Sequence, residues 1–324
     1  MSIEDTVEGW VIQYPEFSDI ADEQMHNFWP WDEPEVENDV QDVRVHMTEQ
    51  ERHGLMTVLK LFTIYEMYAG DDYWAGRILR HFKRPEVQRM ASLFSAVEFN
   101  SHAPFYNKIN ELLYVDTEKF YASWKEDPQL VDRMKFIENG VRHPDIAISL
   151  AAFSFIEGAV LYSSFAFLKH FQSEDCGKDL IKNICRGINL SVGDENLHAI
   201  GSALLFEKVM EDRPHHNREE LEPVIRELAK EVYEHEATIV DKIFERGEIT
   251  GITVKNLKDF VKHRVNLCLI NLGYPYLYPD ADMDGFIASW FYANVNSVQF
   301  HDFFTGSGSE YHIDWDEQVF GEVW

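Results

Sequence analysis

Three cysteines in 324 residues, Cys176, Cys185 and Cys268, form neither a CxxC motif nor an even framework. That argues against a disulfide scaffold and predicts a reduced, cytoplasmic setting. Basic residues are also few. Lys and Arg number 29 against 57 Asp and Glu, a formal charge of −28. A chain this acidic is repelled by phosphate backbones, so nucleic-acid binding is not expected. The N-terminus lacks a basic region followed by an apolar run, and no secretory signal is expected. No repeat and no Gly/Ser- or Pro-rich linker divides the chain, which predicts one main domain. Strand signals are scarce, and the fold expected is all-α, a helical bundle with additional helices.

Residues 1–47 read as an acidic, irregular arm in which Pro15, Pro30 and Pro34 discourage long helices. Thr48, with Glu51 three residues on, opens a helical stretch towards residue 82. Pro85 suits the first turn of a helix reaching about residue 114. Shorter helices are expected within 117–141, then longer ones near 177–211, 216–246 and 253–272, and one more near 284–295. The main domain is thus expected over 48–303, with a flexible tail over 304–324.

The segment Ile146–Leu168 has 23 residues and one charge, Glu157, and its length alone permits a membrane span. A lone carboxylate at mid-bilayer is costly, however, and no second span exists to shield it. The centre of a large helical protein also contains helices apolar on every side. A buried helix, and no membrane, is the reading adopted. Glu157 then becomes a deeply buried acid that needs an ionic partner or a metal.

Two further acids sit beside histidines in apolar stretches, Glu98 with His102 and Glu195 with His198, and Glu66 lies upstream of the first pair. Residues three or four apart on a helix share a face, so such a pair can grip one ion. Pair spacing alone is weak, because Glu49/His53, Glu211/His215 and Glu231/His235 match it on stretches that read as exposed. Apolar flanking separates the favoured pairs: Leu93, Phe94, Val97, Phe99 and Phe105 around one, Leu190, Val192, Leu197 and Ile200 around the other. The order acid, pair, acid, pair describes a dinuclear site inside a bundle, with four carboxylates to balance two divalent ions. Mixed carboxylate and imidazole ligation suits iron or manganese.

With these residues in view, the chain resembles the small, radical-generating subunit of class I ribonucleotide reductase. The likeness runs through Phe28-Trp29, the Pro85-Glu86 helix start, His102 and Tyr106 as H-x-x-x-Y, and Glu157 followed by Tyr162 and Phe165. It ends in the specific block Asp194-Glu195-Asn196-Leu197-His198. The resemblance implies a ferritin-like bundle, with Glu66, Glu98 and His102 on one metal and Glu157, Glu195 and His198 on the other, some carboxylates bridging. The metals implied are di-iron, di-manganese or a mixed pair.

Two departures stand out. The family has Asp where Glu66 stands, and Glu-x-x-His where Glu98 and His102 are one residue further apart. Pro104 suggests how the extra residue is absorbed. Inside a helix it removes a hydrogen bond and clashes with the carbonyl of Asn100, and a π-bulge between Glu98 and Pro104 relieves both. His102 then faces the metal and Tyr106 is the expected radical site. Phe105 is the alternative, implying a metal-based oxidant without a tyrosyl radical.

The resemblance further implies radical transfer through Asp194 and a tryptophan, for which Trp29 and Trp31 both qualify. It also implies a C-terminal tail that docks on a large catalytic subunit and carries a relay tyrosine, here Tyr311, and it implies a homodimer. The expected function is oxygen activation at the metals and delivery of the oxidising equivalent for ribonucleotide reduction. A self-contained di-metal oxidase or oxygenase on the same scaffold, and ferritin-like metal storage, are the rivals.

Overall fold

A computed structural model describes residues 2–114, 117–213, 218–281 and 285–292. Among these residues the only extended pairing is an isolated antiparallel bridge between Ile249 and Ile252, so the architecture is all-α. In the N-terminal arm, Pro15 stands at the start of a helix the prolines had argued against, α1 (Pro15–His26). A proline costs nothing there, because the first helical N–H has no partner to lose. The helix α2 (49–81) opens on a capping box in which Thr48 and Glu51 satisfy each other's backbone N–H groups at 3.2 and 2.7 Å. It changes at Tyr68–Ile78 into a π-helix before a last α-turn.

Helix α3 (85–113) begins at Pro85, widens to a π-turn over Glu98–His102 and resumes as an α-helix at Ala103. The π-turn closes through the Ala103 N–H on the Glu98 carbonyl, five residues back. Pro104 sits just beyond, in the first turn of the resumed helix, where its missing N–H is harmless. The expected bulge is present at the expected place.

Short α4 (Thr117–Ala122) and α5 (Pro128–Val141) lead to the central element. The apolar run 146–168 is not one continuous helix. It divides into α6 (Ile146–Ala159) and α7 (Tyr162–Lys169), with Val160 extended and Leu161 left-handed at φ 75°. The end of α6 is held by the Val160 N–H on Phe155 O and by Arg264 Nε on Gly158 O at 2.8 Å. Both parts are almost wholly buried, which fits a core helix of a globular bundle.

The 31-residue α8 (Lys182–Asp212) starts later than its pattern suggested, because the arm caps it. Asp42 accepts the Ile181 N–H at 2.9 Å and Asp39 accepts the Ile184 N–H at 2.7 Å. Two long helices follow, α9 (Arg218–Ile243) and α10 (Val254–Asn271), then a four-residue turn, α11 (Ala288–Phe291), within the helix expected near 284–295, whose two ends lie outside the described residues. Helix α6 lies at the centre, packed along α8, α5, α9 and α10, while α2 packs on α3 and α1 covers α3. The core of the bundle is therefore α2, α3, α6 and α8. Tyr311, Trp315, Phe320 and Trp324 lie outside the described residues, as does the tail assigned to 304–324.

Candidate metal centre

Each of the four core helices sends a carboxylate to one interior point. Glu66 comes from the α-turn of α2 just before its π-helical part, Glu98 and His102 from the π-turn of α3, Glu157 from α6, and Glu195 and His198 from α8. All six are buried. Ligand atoms of Glu66, Glu98, His102 and Glu195 lie within 4.8 Å of one another, and so do those of Glu98, Glu157, Glu195 and His198. Glu98 and Glu195 belong to both groups, so two metal positions would share these two carboxylates as bridges.

The imidazoles define the pairing. His102 Nδ1 faces Glu98 Oε2 at 3.0 Å, Glu195 Oε1 at 3.2 Å and Glu66 Oε2 at 3.8 Å. His198 Nδ1 faces Glu98 Oε1 at 3.0 Å, Glu195 Oε2 at 3.3 Å and Glu157 Oε1 at 3.8 Å. Gly70 lets α2 approach closely at this level, since a Cβ there would come within 3.0 Å of Glu98 Cβ.

The donor set fits two ions. Glu66 Oε1, both oxygens of Glu98 and Glu195, and Nδ1 of both histidines are buried without a well-formed hydrogen bond. Each such group costs about 1–3 kcal/mol when left unsatisfied, and more when charged. Here they converge on the same two points, where two divalent cations would satisfy them together.

Without metal the cluster is electrostatically divided. Burial, then the neighbouring carboxylates, pushes Glu66 and Glu157 well above the usual carboxyl range. Burial opposes ionisation of Glu98 and Glu195 too, but the two histidines outweigh it and hold both carboxyls low. Burial pulls His198 down, yet Glu195 and Glu98 carry it up to about 9. His102 is likewise raised well above the imidazole range, since Glu98 first, and then hydrogen bonds to Asp194, Glu195 and Glu66, outweigh the opposing pull of burial.

Beyond the ligands, Asp194 joins three side chains. Its Oδ2 accepts from Trp29 Nε1 at 2.8 Å and from His102 Nε2 at 2.9 Å, and its Oδ1 accepts from Gln24 Nε2 at 2.7 Å. Trp29 is buried, whereas Trp31 is 38% exposed; only Trp29 reaches Asp194. Tyr106 is buried, donates to Ser191 Oγ at 3.0 Å and packs on Phe62. Burial, then the Glu66 carboxylate, raises its pKa well above the phenol range. Phe105 points elsewhere, against Trp29 and Gly187, where a Cβ would collide with its ring. Phe99, counted as apolar flanking, is instead 41% exposed.

Three contacts escaped the sequence reading. Trp74 Nε1 donates to Glu157 Oε1 at 3.0 Å from the π-helical part of α2. Ser191 receives Tyr106, and its place one helical turn before Glu195 was a usable signal. Gln24 carried no signal, since only the tertiary path of the arm brings it to Asp194.

Four core helices that each contribute a carboxylate, two of them with a partner histidine, define the dinuclear carboxylate class of helical bundles. A sequence profile of the family described as ribonucleotide reductase, small chain, matches residues 8–284. The chain is 27% identical over 318 residues to a probable ribonucleoside-diphosphate reductase small subunit of invertebrate iridescent virus 3, spanning 92% of this chain and 82% of that one. It is 28% identical over 233 residues to ribonucleoside-diphosphate reductase 2 subunit beta of Escherichia coli K12, spanning 72% and 70%. The fold matches the ribonucleotide reductase R2 subunit of Clostridium botulinum with a TM-score of 0.81 at 22% identity, over 91% of this chain and 94% of that one. This chain belongs to the ribonucleotide reductase small-chain family and is thus the small subunit of an oxidoreductase.

Proposed function

We propose that the chain generates an oxidising equivalent at a dinuclear centre, stores it on Tyr106 and passes it to a large catalytic subunit that reduces ribonucleotides. The observation that carries the reading is the unbroken hydrogen-bonded line from Trp29 through Asp194 to His102, itself turned onto Glu98 and Glu195. Metal storage has no need of such a line. Two ions, iron or manganese, would supply oxidising power drawn from oxygen when held by Glu66, Glu98, His102, Glu157, Glu195 and His198.

The chain's own residues have distinct parts in this scheme. Asp194 fixes the tautomer of His102 by accepting from Nε2, which leaves Nδ1 free for metal. Ser191 fixes the Tyr106 hydroxyl, and the buried surroundings keep water from a phenoxyl radical there. Trp29 is the outward end of the line, with Tyr311 as the relay on the partner-docking tail. A self-contained oxygenase on the same scaffold is disfavoured by space: the void beside the carboxylates is about 10 Å³, room for one water-sized molecule and no organic substrate.

The proposed assembly is a homodimer bound to the large subunit. Exposed Met56, Met67 and Phe99 lie on the two helices that carry Glu66 and Glu98, an apolar strip suited to a second copy. Three free, buried cysteines agree with a reduced cytoplasmic setting.

Metal analysis and electron paramagnetic resonance after aerobic loading test the proposal. About two ions per chain and a tyrosyl signal absent from Tyr106→Phe are expected. A tyrosyl signal that survives the substitution overturns the assignment to Tyr106. Truncation after residue 303 should leave metal oxidation intact and abolish ribonucleotide reduction with the large subunit.

A further inference from the structure

We infer that a narrow apolar passage between α2 and the α6–α7 break admits a small uncharged oxidant to the Glu157 side of the metal centre. The inference rests on the metal reading above. The void that marks the passage is lined by the half-buried Tyr68 and by Tyr65, Ala69, Ile137, Phe153, Ile156, Val160 and Leu161. Glu66, Glu157 and Glu195 line the same void. Exposure follows the same geometry: Glu157 is 5% exposed, whereas Glu98, His102 and His198 are 0%. The centre is therefore approached from one side.

The helix break lies against the void. Val160, extended, and Leu161, left-handed, interrupt the helix, and both line the void. The free space, about 10 Å³, fits one water-sized molecule. Its lining selects by charge as well as size. An anion crossing the walls of Ile137, Phe153, Ile156, Val160 and Leu161 would shed most of its hydration against apolar groups, with the phenols of Tyr65 and Tyr68 the hydroxyl donors in the lining. Beside Tyr68 at the mouth stand Asp72 and Glu138 against a single Arg142, a net negative rim that also repels anions. Dioxygen passes on both counts and superoxide on neither.

The test uses the full chain loaded anaerobically with ferrous iron, with iron per chain counted before mixing. Nitric oxide serves as the uncharged diatomic probe and azide as the anionic one, each followed by stopped-flow absorbance. Ala69→Leu and Val160→Phe narrow the passage from opposite walls, and Tyr68→Ala widens its mouth. Nitric oxide association is expected to slow about tenfold in each narrowed variant at unchanged iron content, the effect of a barrier raised by overpacking. It should quicken in Tyr68→Ala, and in the wild type azide should bind more slowly than nitric oxide. An unchanged nitric oxide rate in both narrowed variants overturns the passage, and azide binding as fast as nitric oxide overturns its selectivity. A wild type that retains no iron overturns the metal reading instead, and the passage then has no destination; the iron count separates that result from the others.

Discussion

The two halves of the metal centre differ in sequence and agree in geometry. Glu195 and His198 are three residues apart on an unbroken α-helix, while Glu98 and His102 are four apart on a π-turn. Yet His198 Nδ1 meets its three carboxylates at 3.0, 3.3 and 3.8 Å, and His102 Nδ1 meets its three at 3.0, 3.2 and 3.8 Å. The wider π-turn needs one residue more to bring a side chain round to the same face. What the site conserves between its halves is direction, and spacing follows from the local helix type. The halves diverge only outside the ligands. His102 is backed by Asp194 and Trp29, whereas His198 packs against the rings of Phe94 and Trp74, and Trp74 holds Glu157.

The largest effect should come from breaking what the halves share. Glu98 and Glu195 each face both imidazoles, so Glu98→Ala or Glu195→Ala should abolish binding of both ions. Glu66→Ala and Glu157→Ala each remove a ligand from one half and should leave about one ion per chain. Metal counting by mass spectrometry distinguishes these results. Loss of only one ion in Glu195→Ala would mean that the carboxylate does not bridge.

Much of this was legible in the sequence, for physical reasons. Carboxylates in apolar runs are too costly to leave unexplained, which marked Glu98, Glu157 and Glu195. Pro104 marked the π-turn, because a proline at that point is intolerable in a regular helix. The second π-segment, Tyr68–Ile78, has no proline to announce it, and so the position of Trp74 opposite Glu157 went unseen. The break at Leu161 likewise falls among residues with good apolar character, and it is imposed by contacts such as Arg264 on Gly158 O, more than 100 residues away. Trp29 and Trp31 were indistinguishable for a similar reason: the fold of the arm, not its composition, decides which one turns inward.

Protons sharpen the comparison next. At neutral pH the metal-free site holds both histidines protonated, and the metal must displace those protons. Affinity should therefore rise with pH, by up to about tenfold per pH unit for each proton displaced. For His198 the gain ends above about pH 9. The same raised pKa stabilises the metal-free fold below the unfolded-state histidine value, and that contribution is lost as pH rises through about 9. Manganese titrations at several pH values, followed by electron paramagnetic resonance, should show occupancy rising with pH up to about 9. A pH-independent affinity would mean that neither imidazole is protonated in the metal-free site.

Smaller effects should follow from the outer partners, each confined to one half. Trp74→Phe removes the N–H on Glu157 and keeps an aromatic ring against His198. Asp194→Asn removes the charge behind His102. Each should weaken its own ion by about 10–100-fold and leave the other close to wild type, as losses of ligand-orienting hydrogen bonds do. Two-site isotherms for the pair of variants would show it. Weakening of both sites by either variant would indicate that the effect spreads through the bridging carboxylates.

The smallest change should come from the most radical edit. Asn100 is exposed and lies within the π-turn, so deleting it together with Pro104→Ala turns Glu98 and His102 into a three-residue pair on a regular helix. If helix type and spacing compensate for each other, both ions should remain, with affinity within about threefold of wild type, under 1 kcal/mol. Deleting Asn100 alone leaves Pro104 inside a regular helix and should cost about 3 kcal/mol of stability, measured by denaturant unfolding. The mirror experiment adds one residue between Glu195 and His198, where no proline favours a bulge. Helix α8 should then keep its regular turn, rotate His198 off the metal and lose the ion that Glu157 shares. Retention of two ions after that insertion would show that the bundle itself can impose a π-turn, and that Pro104 only accompanies the one in α3.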